Sequence, residues 1–253
     1  QYCVPLVAKN KVKGVLEIFR RKVNIPDPEW VTFLKMLANE AAIALDNAEL
    51  FDQNIQAAKE LVEAYDATIE SWSKFIDLRD NNLEGHSHRV TELTMALARK
   101  MGLKESEIIH VRRGALLHDI GKMAVADSIL HKPGLLEEEE WLIMRKHPVY
   151  AYEMLAPIAY LKPALEIPYC HHERFDGSGY PRGLKGTEIP LAASIFSVID
   201  VWDALTSDRL YRPAWSKSEA LEYIREQSGK QFNPDVVNAF LEMKDIWEED
   251  PRK

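Results

Sequence analysis

The sequence predicts a mainly α fold, on three observations. Residues 29–84 contain neither glycine nor proline, and their apolar residues recur at alternating spacings of three and four. The rest of the chain breaks into shorter amphipathic stretches bounded by capping and breaking residues, with no convincing strand from residue 71 onward. Only residues 4–19 look like β-structure. The expected architecture is an all-α helical bundle, preceded by a long helix and by a β-hairpin left over from another domain.

Taken in order, Val4 to Val7 and Val15 to Phe19 are β-prone runs separated by a polar, Lys-rich segment at 8–14. A lone hairpin is marginally stable, so it needs partners. The chain starts without methionine in the middle of this strand, which suggests a piece of a longer protein. Pro26 and Pro28 mark the entry to a helix. Leu34, Leu37, Ala41, Ala44, Ala48, Phe51, Ile55, Ala58, Val62, Tyr65, Ile69, Trp72 and Ile76 then form a heptad seam of about six heptads, roughly 60 Å of helix. A homodimeric coiled coil through residues 34–76 is preferred over a long helix packed on its own domain. Ala at several seam positions weakens the seam locally, because Ala buries little area.

Shorter helices follow. Residues 88–101 are amphipathic and stop at Gly102; 105–119 form the next helix, closed by Gly121. Lys132-Pro133-Gly134 is a turn, and 137–147 form a helix that Pro148 ends at His147. The helix running into His171 and His172 carries Pro163 and Pro168 and should be kinked or split. Residues 176–186 hold four glycines and a proline and must be a loop. A buried helix spans 190–206, Ser216 and Glu219 form a capping box, and Asn233-Pro234 opens the last helix.

Composition is that of a soluble globular protein, 46% hydrophobic and 28% charged over 253 residues, enough for one large domain or two small ones. A net charge of -8 argues against binding polymeric nucleic acid, which calls for a basic face. Cys3 and Cys170 are too few for a disulfide framework or a Cys-type zinc site and fit a reducing cytoplasm. No apolar run is long enough to span a membrane, and there is no signal peptide.

The chemistry centres on His118-Asp119-Ile120-Gly121-Lys122, an imidazole beside a carboxylate. His86 lies upstream; His147, His171, His172 and Asp200 lie downstream, so five of the eight histidines belong to this set. Imidazole and carboxylate donors suit divalent ions such as Fe, Mn or Zn with positions left open for substrate. Adjacent residues on a helix point about 100° apart, so His118 and Asp119 can touch neighbouring points of one site. A carboxylate can bridge two ions, and the His171-His172 pair would serve the second. Asp200 and Asp203 share a helix face, suited to one ligand and one substrate contact. The set points to a metal centre that hydrolyses a phosphodiester. His88, His110 and His131 read as capped or solvated, as do Arg182 and Lys185.

Two resemblances extend this. The hairpin followed by Leu37-Ala38-Asn39-Glu40-Ala41-Ala42-Ile43-Ala44-Leu45-Asp46-Asn47-Ala48 resembles the last part of a GAF domain, which implies a sensor module at 1–47 and a linker helix at 48–76. The HDIGK stretch together with His171-His172-Glu173-Arg174-Phe175-Asp176-Gly177-Ser178-Gly179-Tyr180-Pro181 resembles the HD-GYP family of metal-dependent cyclic di-GMP phosphodiesterases, with the catalytic domain at 77–253. By that resemblance His86, His118, Asp119 and Asp200 hold one ion. Asp119 bridges to a second ion held by His147, His171 and His172. Lys122, Tyr180, Asp203, Arg209 and Arg212 contact substrate, with Asp119 and Lys122 the catalytic pair.

Some members carry a glutamate where this chain has Asn82, and that glutamate helps build a third metal position. A neutral amide is a poor ligand, so two ions are expected, Fe or Mn ahead of Zn, Co or Ni. A bridging hydroxide would then attack phosphorus, opening cyclic di-GMP to pGpG, which some relatives cleave on to GMP. Coupling of a GAF-like sensor to the catalytic domain through paired helices is the expected regulation. The alternatives are a cyclic di-GMP-binding effector with little turnover and an HD-type phosphohydrolase of another nucleotide.

Overall fold

The computed structural model describes residues 1–19, 21, 27–80, 85–208 and 213–243. It separates into two compact units, residues 1–65 and 66–253, whose boundary lies within one long helix. No described helix is long and apolar enough to cross a membrane.

In the first unit, β1 (Tyr2–Ala8) pairs antiparallel with β2 (Lys11–Ile18). The connection is shorter than the 8–14 segment expected. Lys9 and Asn10 take positive φ values of 47° and 61°, giving a two-residue turn whose twist matches the strands. Lys11 and Lys13 are therefore strand residues. Lys13 Nζ lies 2.7 Å from Asp46 and 2.6 Å from Glu49 on helix α1 (Pro28–Arg79). Leu6 and Ala8 of the hairpin pack on Ala38 and Ala42, where small side chains let the helix approach.

The remainder of α1 belongs to the second unit. Ile69 and Ile76 are buried against Leu116, Leu117, Ile120, Ala151, Leu155 and Leu161. Asp66 accepts from the buried Arg113 guanidinium at 2.8 Å, and Tyr160 also meets Arg113. This packing ties residues 66–79 of α1 to the second unit. The heptad seam is thus split. Leu34, Ile69 and Ile76 face intrachain cores, whereas Leu37, Phe51, Ile55, Val62, Tyr65 and Trp72 are exposed.

The bundle continues with α2 (His86–Lys100), α3 (Glu105–Leu116), α4 (Asp127–Leu130), α5 (Glu138–Met144), α6 (His147–Leu155), α7 (Glu166–Cys170), α8 (Leu191–Thr206), α9 (Lys217–Glu226) and α10 (Pro234–Leu241). Two expectations shift and a third holds. Helix α3 stops at Leu116, and Ile120–Ala124 forms a 3₁₀ turn, so His118 and Asp119 sit on the bend between them. His147 begins α6 instead of ending α5, because Pro148 is tolerated in a first helical turn, where its missing N–H costs nothing. The proline-bearing helix is split, as expected, into a 3₁₀ segment Ala159–Ala164 and α7. Capping at the C-terminal end follows the sequence: Ser216 and Glu219 exchange side-chain-to-backbone bonds, and Asn233 caps α10.

Helix α8 is the spine of this unit. Ile195, Phe196, Val198, Ile199 and Trp202 are buried in a core shared with α2, α3, α9 and α10. At about 2 kcal/mol for each large side chain, this burial contributes roughly 10 kcal/mol as an upper estimate, ample to hold the helix rigid. The bend after α3 is held by a close approach at Gly121. A Cβ there would overlap the His147 carbonyl oxygen and the Ala151 backbone nitrogen. Gly121→Ala should therefore cost about 2 kcal/mol or more in urea unfolding, since backbone must move to admit one methyl group. A cost below about 0.5 kcal/mol would show that the approach of α6 to the bend is slack.

Candidate metal centre

Five elements deliver the expected residues to one place. His86 opens α2, His118 and Asp119 lie on the bend after α3, His147 opens α6, His171 and His172 follow α7, and Asp200 lies on α8. Two donor groups result. His86, His118 and Asp200 form one and His147, His171 and His172 the other, with the donor atoms in each group within 4.8 Å of one another. All are buried except Asp200 and His172, which are partly buried.

Asp119 stands between the groups. Its Oδ2 is 3.1 Å from His118 Nε2, and its Oδ1 is 3.4 Å from His147 Nε2 and 3.9 Å from His171 Nε2. One carboxylate therefore faces both donor groups, one oxygen to each.

Hydrogen bonds on the far side of each ring set the tautomers. Nδ1 of His118 donates to the Ala115 carbonyl at 2.8 Å, that of His147 to Met144 at 2.9 Å, and that of His171 to Ile167 at 3.0 Å. A carbonyl only accepts, so Nδ1 carries the proton in each case and Nε2 is left to the site. His86 is turned the same way, its Nδ1 donating to Asp203 Oδ2 at 2.7 Å.

The consequence is sharpest in the second group, where Nε2 of His147 and Nε2 of His171 lie 3.3 Å apart, both presenting lone pairs. Burial, and then neighbouring histidines, push the His171 pKa well below its usual value; burial first does the same for His172 and lowers that of His147. These rings are neutral donors. His118 behaves oppositely: burial lowers its pKa, but the Asp119 carboxylate outweighs burial and raises it to about 9. The site thus draws positive charge between its groups. An all-nitrogen-and-oxygen donor set with facing lone pairs fits borderline divalent ions. The six histidine and aspartate donors, with Asp119 between them, could hold two.

The expected substrate contacts divide three ways. Lys122 lies at the site, with Nζ 2.8 Å from Asp119 and 2.7 Å from Asp80; these carboxylates overcome burial and raise its pKa. Tyr180 also lies there, its ring stacked on His172 with centroids 4.8 Å apart and its hydroxyl pKa pushed up to about 12 by burial. Asp203 differs from the expectation of a substrate contact. It is buried, and its oxygens are taken by His86 and by Arg89, whose Nε donates at 2.9 Å. Arg209 and Arg212 lie outside the described residues, as does Asn82.

Several residues that shape the site were not foreseen. Arg89 is three positions after His86, a spacing that puts both on one helix face. Arg79 ends α1 and Asp80 follows it; Arg79 donates to the carbonyls of Met123 at 2.7 Å and Val125 at 3.0 Å, next to Lys122. Glu173 is buried, and its carboxylate accepts the backbone N–H groups of Arg182 at 2.7 Å and Leu184 at 3.0 Å, holding the loop that carries Tyr180. Gly179 lets that loop fold back on itself, since a Cβ there would strike the backbone of residues 172–174. His88 and His131 are exposed, as expected for histidines outside the centre.

Comparison with known proteins identifies a family. Residues 70–236 match the family described as HD domain. The chain is 37% identical over 211 residues to the cyclic di-GMP phosphodiesterase response regulator RpfG of Xanthomonas campestris pv. campestris, covering 82% of this chain and 56% of that protein. It is 37% identical over 202 residues to the 3'3'-cGAMP-specific phosphodiesterase 2 of Vibrio cholerae, covering 79% and 39%. The chain spans about half the length of the curated relatives it matches. A crystal structure of a cyclic GMP-AMP specific phosphodiesterase of V. cholerae superposes with a TM-score of 0.56 at 18% identity, covering 73% of this chain and 49% of that one, a likeness of fold. With His118-Asp119 at its centre and Gly179-Tyr180-Pro181 in the adjoining loop, the chain belongs to the HD domain family, in its HD-GYP form.

Proposed function

We propose that this chain carries the catalytic domain of a metal-dependent phosphodiesterase that hydrolyses cyclic di-GMP to pGpG, and on to GMP if the linear product is retained. The observation that carries this is the placement of Asp119 between two buried three-donor groups. His86, His118, Asp119 and Asp200 would hold one divalent ion, and Asp119, His147, His171 and His172 a second, Fe or Mn ahead of Zn, Co or Ni. Bound there, such ions supply Lewis acidity toward a phosphoryl oxygen and a water acidic enough to ionise near neutral pH.

The chain's own residues do the rest. Lys122 places a fixed cation beside Asp119, where it can balance charge developing on phosphoryl oxygens. Arg209 and Arg212 are proposed to act on the phosphates as well. Asp203 and Arg89 orient His86, so Asp203 is a positioning residue rather than a substrate contact. Phe196 walls the centre, its ring 4.7 Å from that of His118, and excludes bulk water. A second reading, 3'3'-cGAMP as substrate, is favoured by the V. cholerae relative of that name, whose identity to the chain equals that of RpfG.

Residues 1–47 are proposed to be the end of a GAF-like sensor, residues 48–76 the linker and 77–253 the catalytic domain, working in the cytoplasm. The exposed seam residues of α1 support a homodimer that brings two such linkers together.

Two measurements test these proposals. Protein prepared without air and supplied with Fe or Mn should convert cyclic di-GMP to pGpG. Chelation should abolish turnover, and Lys122→Ala should lower kcat by about 100-fold, the scale of removing one transition-state charge contact. Absence of turnover with every one of Fe, Mn, Co and Ni would overturn the enzyme reading. Light scattering at micromolar concentration should give a dimer, and Phe51→Glu with Ile55→Glu a monomer. A monomeric parent chain would remove the coiled-coil dimer.

A further inference from the structure

One side chain at the edge of the centre is held in a way the proposed chemistry does not use. Arg145 precedes His147 by two residues, and its side chain is exposed. Its guanidinium carbon lies 5.6 Å from the centre of the Tyr180 ring and 5.9 Å from that of Trp141. Tyr180 in turn stacks on His172, with ring planes 26° apart. Flat groups therefore run outward from the buried donors in the order His172, Tyr180, Arg145, Trp141, and the last of these is 45% exposed.

Arg145 differs from its cationic neighbours. Lys122 is bound by Asp119 and Asp80, and Arg89 by Asp203. No carboxylate among the described residues pairs with Arg145. The two aromatic rings hold its guanidinium by cation–π contact, and its exposed side chain leaves N–H groups to solvent.

A cyclic dinucleotide with a phosphate at the donor groups must place a base beside them, and this stacked edge starts on His172, itself one of the donors. A guanidinium fork matches the O6 and N7 acceptors of guanine; adenine offers a donor, N6, where guanine has O6. We propose that Arg145 is a specificity-determining residue that reads the O6/N7 edge of a guanine base, with Trp141 backing the guanidinium. This rests on the phosphodiesterase reading above. It goes further by assigning a base subsite.

The test compares the metal-loaded parent chain with Arg145→Ala and Arg145→Lys on cyclic di-GMP, cyclic di-AMP and bis(p-nitrophenyl) phosphate, a phosphodiester without bases. One bidentate guanine contact gives about 5- to 150-fold discrimination. Arg145→Ala should therefore raise KM for cyclic di-GMP at least about tenfold. The ratio of its kcat/KM to that of either other substrate should fall by a similar factor. Arg145→Lys should not restore the ratio, because an ammonium lacks the planar fork.

An unchanged ratio would overturn the proposal, whether all three substrates are lost together, as for a phosphate or folding role, or none is. Calorimetric binding of cyclic di-GMP in a Lys122→Ala background separates this from the enzyme reading. A tenfold weaker binding on adding Arg145→Ala supports the base contact even if the parent chain shows no turnover. Equal binding overturns it.

Discussion

The Asp119 carboxylate is the constraint on which the centre depends. It is buried, and a lone buried carboxylate is costly enough that proteins either neutralise it or surround it with positive charge. Here burial pushes its pKa up, but the neighbouring His118 ring and the Lys122 ammonium outweigh that and hold it well below the usual carboxylate range. A charge kept ionised in the interior, with one oxygen toward each of two imidazole groups, is a strong electrostatic demand for cations on both sides. The rings of His147, His171 and His172, whose pKa values burial lowers, form on the second side a donor group that could hold a metal ion.

The fold meets that demand by fixing backbone, not by long flexible side chains. Gly121 allows α6 to come close to the bend that carries Asp119, which brings His147 against it. Helix α8, rigid through its apolar face, presents Asp200 to one donor group and Asp203 to the back of His86. Carbonyls of Ala115, Met144 and Ile167 lock three rings by their Nδ1 atoms. The end of α1 and the residue after it reach the same segment through Arg79 and Asp80. A displacement of that helix end would act directly on Lys122.

Much of this was legible in the sequence because metal chemistry restricts residue types. Adjacent His-Asp and His-His pairs have few other uses in combination, and the seven expected ligands do lie around one centre. Helix starts at Ser216 and Asn233 were legible because capping is local chemistry. The start of α6 was misjudged because Pro148 serves equally to end one helix or to open the next, and only tertiary packing chooses. The hairpin turn was misplaced because Lys9-Asn10 is a weaker turn signal than Asn-Gly. Asp203 was read as a substrate contact because spacing puts it on the face of Asp200; what it meets is set by His86 and Arg89, which come from another helix. The seam looked continuous because periodicity records which residues are apolar and not whether the same chain or a second copy covers them.

Anomalous diffraction from crystals of the manganese-loaded protein tests the central claim most directly. Two peaks should flank Asp119, one among His86, His118 and Asp200 and the other among His147, His171 and His172. A single peak, or two peaks on the same side of Asp119, would contradict the role of that carboxylate as the bridge.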